Sequence, residues 1–269
     1  MFRYDIDSLD NRDPAAIDRL VRIVEATLVH YHRAEVRGVA RIPAGRALYV
    51  GNHNSYTYTP DSWLFGAAVY RQLGLDAVPY GLGHEIALEF LPINRFVCPL
   101  GAVRASHENG ERLLWADKKV LVYPGGDFDA LRPYRHRDRV VFGGRCGFVR
   151  LALRTGAPIV PVVAAGAHST FIVIDDLRWL ARAIRSDKWM RSKVWPLTFS
   201  VPWGFTLGLP PPWFPFPSKI LIEVLEPIVF EGTGPADADD PAVYTACAEQ
   251  VQSTMQAALT RLEAERRGR

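Results

Sequence analysis

Gly51-Asn52-His53-Asn54-Ser55-Tyr56-Thr57-Tyr58-Thr59-Pro60-Asp61 follows directly on the apolar run Ala47-Leu48-Tyr49-Val50. Four consecutive apolar residues closed by turn formers read as a buried strand. Thr59 stands where a helix N-cap belongs, with Pro60 at the first helical position and Asp61 in the first turn. A strand, a polar loop holding one histidine, and a helix opening on a carboxylate form a candidate acid–base site. An imidazole takes up a proton near neutral pH, and a nearby aspartate can fix its tautomer and offset its charge. The same residues also suit an exposed loop histidine beside a capped helix.

A second strand signal, Lys119-Val120-Leu121-Val122-Tyr123, ends in Pro124-Gly125-Gly126-Asp127. Paired glycines let backbone N–H groups converge on an anion or a developing oxyanion, although Pro-Gly-Gly is often only a turn. Between the two stretches lies Cys98-Pro99-Leu100-Gly101-Ala102-Val103-Arg104, and downstream Ala157-Pro158-Ile159-Val160-Pro161-Val162-Val163 reads as another buried strand. Helical patterns run from Asp61 to Leu73, Ser106 to Asp117 and Gly143 to Arg154, with a short strand at Ala77–Tyr80 and a late one at Lys219–Leu225. This alternation predicts an α/β fold with a mostly parallel sheet covered by helices on both faces.

Amphipathic helices are expected at both ends. Ile17, Leu20, Val21, Val24 and Leu28 make one apolar stripe after Asp13-Pro14, suited to packing on the core or to lying in a membrane interface. Tyr244, Cys247, Val251, Met255, Ala258 and Leu262 make the other, after an acidic surface linker from Glu231 to Asp240. Nothing marks an internal boundary, so residues 1–269 are read as a single domain with an N-terminal helical segment, 1–40.

In order and spacing, His53/Asp61, Gly101 to Arg104, Tyr123 to Gly126 and Pro158 to Val162 resemble the four blocks of the glycerolipid (phospholipid/glycerol) acyltransferase superfamily. The resemblance spans about Ala47 to Val163. It implies attack of an acceptor hydroxyl on acyl-CoA as co-substrate, with His53 as general base, Asp61 as its partner, and no cofactor or metal. It also implies substrate contacts by Arg104, Tyr123, Pro124, Gly125 and Gly126; Arg132, with Arg135 and Arg137, is a candidate for the CoA phosphates or a solvated charged loop. Three departures stand out. Asp61 lies further from His53 than the usual spacing, which falls here on Tyr58; Gly125 replaces the commoner glutamate; and the Gly101–Arg104 block is short. The Pro-Gly-Gly form is closer to the branch with diacylglycerol and phytol-ester acyltransferases, which leaves a phosphate-bearing acceptor open. The longer loop is expected to bulge so that the Asp61 carboxylate still reaches the His53 ring.

Composition narrows the alternatives. A net charge of +3 is too small for a nucleic-acid protein, and Cys98, Cys146 and Cys247 form neither a zinc ribbon nor a disulfide framework, which suits reduced thiols in the cytoplasm. No Gly-x-Ser-x-Gly elbow supports a serine hydrolase. No apolar run reaches the roughly 18 residues of a spanning helix. Lipid chemistry would therefore proceed from a peripheral position on the membrane, and residues 178–217 are the candidate contact. They hold Trp179, Trp189, Trp195, Trp203 and Trp213, five of the chain's seven tryptophans, among Arg182, Arg185, Lys188, Arg191 and Lys193. The plainer alternative is a Trp- and Pro-rich cover over the sheet, and a non-catalytic lipid-binding protein also remains open.

Overall fold

The computed structural model describes residues 2–56 and 58–268; Thr57 of the decisive loop lies outside them. Among the described residues ten strands form two sheets: β1 (Glu35–Arg37), β2 (Ala47–Gly51), β3 (Tyr80–Gly83), β4 (Ala102–Arg104), β5 (Lys119–Val122), β6 (Ile159–Ala165), β7 (Ile172–Asp175), β8 (Leu197–Ser200), β9 (Gly204–Leu207) and β10 (Leu221–Val224). The larger sheet has the order β1-β10-β6-β2-β5-β3-β4. Its strands β6, β2, β5, β3 and β4 run parallel, while β10 is antiparallel to β6 and parallel to β1.

The sheet is buried on both faces, which is why β2 and β6 read as unbroken apolar runs. Successive side chains on a strand point to opposite faces. Leu48 and Val50 accordingly enter one core with the helices Gly147–Thr155 and Pro241–Arg266, while Ala47 and Tyr49 enter a second with Pro14–Ala26 and Pro60–Leu73. The N-terminal helix buries Ile17, Val21 and Val24 in that second core, so its stripe packs on the sheet.

Helix starts follow their polar caps. Asp13, Ser106 and Asp240 each accept a hydrogen bond from a first-turn N–H. Thr59 occupies its N-cap position without a side-chain cap bond. The helix expected from Gly143 begins at Gly147, because Gly143 and Gly144 adopt positive φ values of 62° and 74° in the preceding turn.

Residues 178–217 are more ordered than a Trp- and Pro-rich cover suggests. Two short helices, Arg178–Ala183 and Ser186–Trp189, lead into β8 and β9, which join β7 in an antiparallel three-stranded sheet. A third apolar cluster lies between this sheet and the decisive loop: Tyr56 packs there with Leu131, Phe171, Val173, Val194 and Trp213.

Candidate active site

Because β2, β5, β3 and β6 are parallel, the segments leaving them gather at one edge of the sheet, where α/β folds commonly bind ligands. Asn52 carries the β2–β6 pairing one step past the strand. Its side chain accepts from the Ala164 N–H at 2.9 Å and donates to the Ala164 carbonyl at 3.0 Å. His53 comes next, and both of its peptide groups are held. Its N–H donates to Asp129 Oδ2 at 2.5 Å, and its carbonyl accepts from Arg132 Nη1 at 2.6 Å.

Those two clamps are themselves an ion pair, 3.0 Å apart and fully buried, with 2% of the Arg132 side chain exposed. Arg132 also donates to Asn54 Oδ1 and the Arg137 carbonyl, and Asp129 accepts from the Val141 N–H. The His168 ring lies 2.9 Å from the Asn54 and Arg132 carbonyl oxygens. A buried charge is tolerable only when paired and hydrogen-bonded, and here the contacts to His53 and Asn54 also fix the loop that carries them. Burial raises the Asp129 carboxyl to about 6 although Arg132 opposes it.

The His53 ring stacks on Tyr123, with centroids 4.7 Å apart and planes at 27°. Tyr123 is anchored in turn by a 2.5 Å hydrogen bond between its hydroxyl and Ser62 Oγ, in the first turn of the helix Pro60–Leu73. This stacking explains Gly51: a Cβ there would stand 2.4 Å from the Tyr123 ring. Nδ1 of His53 is buried without a partner among the described residues, which leaves Nε2 as the ring atom able to meet a substrate. Burial and the neighbouring Arg132 guanidinium lower the imidazole to about 4, so at neutral pH it is uncharged and able to accept a proton.

Asp61 is buried at the start of its helix, where burial raises its carboxyl and the Asn54 hydrogen bond opposes the rise. The expected direct contact with His53 is not formed: among the described residues no hydrogen bond or ion pair joins them. Asp61 Oδ2 instead accepts from Asn54 Nδ2 at 2.8 Å, and Oδ1 is buried without a partner among the described residues. On the two described sides of the longer loop, Asn54 is buried and Tyr58 is hydrogen-bonded to His32 at 2.8 Å.

Three further expectations change. Arg132 does not face a ligand, because its guanidinium is enclosed and engaged beneath the loop. Arg104 offers no free fork, since Asp7 takes its Nε and Nη2, both at 2.8 Å. The Gly126 N–H closes the turn onto the Tyr123 carbonyl at 3.1 Å, so it is not available to an oxyanion; the Gly125 N–H has no partner among the described residues. Gly125 itself is dictated by packing. A Cβ there would lie 2.1 Å from the Val141 carbonyl oxygen and 2.3 Å from Asp129 Cβ, so the glutamate of the commoner pattern has no room.

A cavity of about 240 Å³ opens beside Tyr123 and Pro124. Leu82, Val122, Phe148 and Leu151 make it apolar, and Ser106, His107 and Arg145 supply polar groups. Arg145, overlooked in the sequence, is therefore the guanidinium on this wall, held by the Gly125 carbonyl and Asp127. Asp129 and His168 were also overlooked. Their one sequence signal is a polar residue set among apolar neighbours, Phe128 and Ala130 around the first and the run Ala157–Ile174 around the second.

The family model described as Acyltransferase matches residues 33–165, from just before β1 to the end of β6. An uncharacterised protein of Mycobacterium tuberculosis is 31% identical over 266 residues, covering 98% of this chain and 71% of its own length. Phytyl ester synthase 2 of Arabidopsis thaliana, a chloroplast protein, is 28% identical over 149 residues, which is 52% of this chain and 21% of that one. Among solved structures, the 1-acyl-sn-glycerophosphate acyltransferase PlsC from Thermotoga maritima matches with a TM-score of 0.57, over 92% of this chain and 80% of that one. At 16% identity that likeness is one of fold.

Proposed function

Since the chain belongs to the glycerolipid acyltransferase superfamily, we propose that it moves a fatty acyl group from acyl-CoA to the hydroxyl of a lipid acceptor, working peripherally at a membrane surface. The observation that carries this reading is the uncharged His53 ring, with both peptide groups clamped, stacked on the tyrosine of the Pro-Gly-Gly turn. The acceptor oxygen attacks the thioester carbonyl while His53 Nε2 removes its proton. The tetrahedral intermediate collapses, and the CoA thiolate leaves with the proton returned by the imidazolium. The Gly125 N–H is the available donor of that turn for the oxyanion. Asp61 acts through Asn54, holding the loop and placing negative charge near the developing imidazolium.

The acceptor reading leans toward a neutral hydroxyl. Asp7 occupies the Arg104 fork that would serve a phosphate, and the packing of Gly125 favours the Pro-Gly-Gly form. The test is mass spectrometry of purified protein incubated with acyl-CoA and a mixed lipid extract, with lysophospholipid and long-chain alcohol supplied in separate arms. New acyl esters made by wild type and not by His53→Ala support the proposal. Release of free fatty acid alone would make the protein a hydrolase, and lipid binding without turnover would make it a non-catalytic carrier.

A further inference from the structure

The three-stranded sheet is inside out. Cross-strand partners share a face, and β8 pairs with β9 so that Leu197 meets Leu207 and Phe199 meets Phe205, while Thr198 meets Thr206. The face turned inward is the polar one: Thr198 and Ser200 are fully buried, beside Val173 of β7. The face turned outward is apolar, with Phe205 74% and Leu207 58% exposed. It continues through Val201 and Trp203 of the connecting turn to Phe214, 70% exposed and bridged to Val201. Single exposed apolar residues are ordinary, but a strand pair that buries Thr198 and Ser200 and presents Phe205 and Leu207 marks a surface with a partner.

We propose that this face docks on the surface of a lipid bilayer carrying anionic headgroups. Charge selects that occupant. Trp195 packs against Gly208 at the end of β9 and meets Trp189 at a tilt, with ring centroids 5.4 Å apart, so the helices Arg178–Ala183 and Ser186–Trp189 adjoin the apolar face. Arg178 and Arg191 are paired with Asp176 and Glu85. The side-chain charges of Arg182, Arg185, Lys188 and Lys193 pair with no carboxylate among the described residues. Exposed Trp179 and Trp189 stand among them, and indole rings with basic side chains suit the headgroup layer. A two-fold pairing of copies through the open β9 edge would bring these unpaired cations toward their own equivalents. No helix among the described residues is long and apolar enough to cross a membrane.

The inner side of this sheet shares the cluster that holds Tyr56, three residues from His53, so the docking face and the site loop belong to one packed unit. The docking rests on the peripheral membrane position proposed above and names the face that takes it, and it holds whether or not His53 transfers an acyl group. Co-sedimentation of the full chain with phosphatidylcholine vesicles, and with vesicles also containing phosphatidylglycerol, tests it. Wild type is expected to bind the anionic vesicles, and added salt to weaken the binding. The variant Trp203→Ser/Phe205→Ser/Leu207→Ser should lose on the order of tenfold or more in vesicle affinity. Arg185→Glu and Lys188→Glu should lose ~5-fold each, on anionic vesicles only. His53→Ala should bind as wild type does, which separates failure of docking from failure of catalysis. Equal binding by wild type and the apolar variant, with both melting alike, would overturn the proposal. So would light scattering that shows a wild-type dimer, made monomeric by the apolar substitutions, with no binding to vesicles.

Discussion

Two regions of this molecule reverse the usual distribution of polarity, and they do so in opposite directions. Beneath the His53 loop the large sheet buries Asp129, Arg132 and His168 with hydrogen-bond partners for each, so charge is held inside to fix one loop. In the small sheet, Phe205 and Leu207 point outward while Thr198 and Ser200 point in. The first inversion is closed within the chain, because each buried charge meets an opposite charge or a peptide dipole. The second is left open. Substitutions at the first should therefore damage the protein by itself, and substitutions at the second only its dealings with something else.

The largest effect is expected at the ring which the buried network positions. His53→Ala should lower the acyl-transfer rate on the order of 10²–10⁴-fold in a protein that still melts cooperatively, measured with acyl-CoA and the acceptor found by mass spectrometry. Near-normal turnover in that folded variant would remove His53 from the chemistry.

Next comes the ion pair. Arg132→Met leaves Asp129 buried without its cation and should cost about 3–5 kcal/mol in urea unfolding. Arg132→Met combined with Asp129→Asn should recover part of that loss, since a neutral amide is less costly to bury than a lone carboxylate. A loss under ~1 kcal/mol for the single change would mean that the network does not bear on the fold as drawn.

A smaller effect separates two of the buried titrating groups, His53 and Asp129, by pH. The His53 imidazole, lowered to about 4, binds a proton more readily in the unfolded chain, so it makes folding less favourable as pH falls from 6.5 toward 4. Asp129, raised to about 6, acts oppositely: the folded state holds its proton more tightly, which favours folding as pH falls from 6 toward 3.8. Asp129→Asn removes that opposing share, so the variant should lose stability more steeply than wild type on acidification. Thermal melts across this range check it; parallel slopes would show that Asp129 titrates as it does in the unfolded chain. For kcat/KM, the acid limb should fall near 4 rather than 6.5, following the lowered imidazole.

The smallest effect completes the contrast. Phe205→Ser and Leu207→Ser should each change folding stability by no more than about 0.5 kcal/mol, because their side chains are already in water. A clear drop in melting temperature would mean that these side chains pack in solution and that the sheet is not inside out.

The candidate site was legible in part. His53, Tyr123 and the paired glycines stand at strand ends, where apolar runs break into turn residues, and such breaks are local. Asp129 offered no comparable signal. A carboxylate in a five-residue helix looks like surface, and its burial depends on the backbone of His53, 76 positions earlier in the chain. Arg132 misled for the same reason, since a basic loop is read as solvated until its partners are known. Asp61 stands out in the sequence as the first-turn acid, but local order could not foresee that Asn54 would take its Oδ2.

What the sequence determined alone are the elements with local causes. The double-sided burial of β2 and β6, the capped starts after Asp13, Ser106 and Asp240, and the turn at Gly125 all follow from residue type and spacing. Even Leu197-Thr198-Phe199-Ser200 carries the two-residue alternation of a strand, passed over among the tryptophans and prolines. Which face of that strand is inside was decided only by tertiary structure. Alternation specifies two faces without saying which is buried, and the packing of the small sheet against the Tyr56 cluster turned the polar one inward.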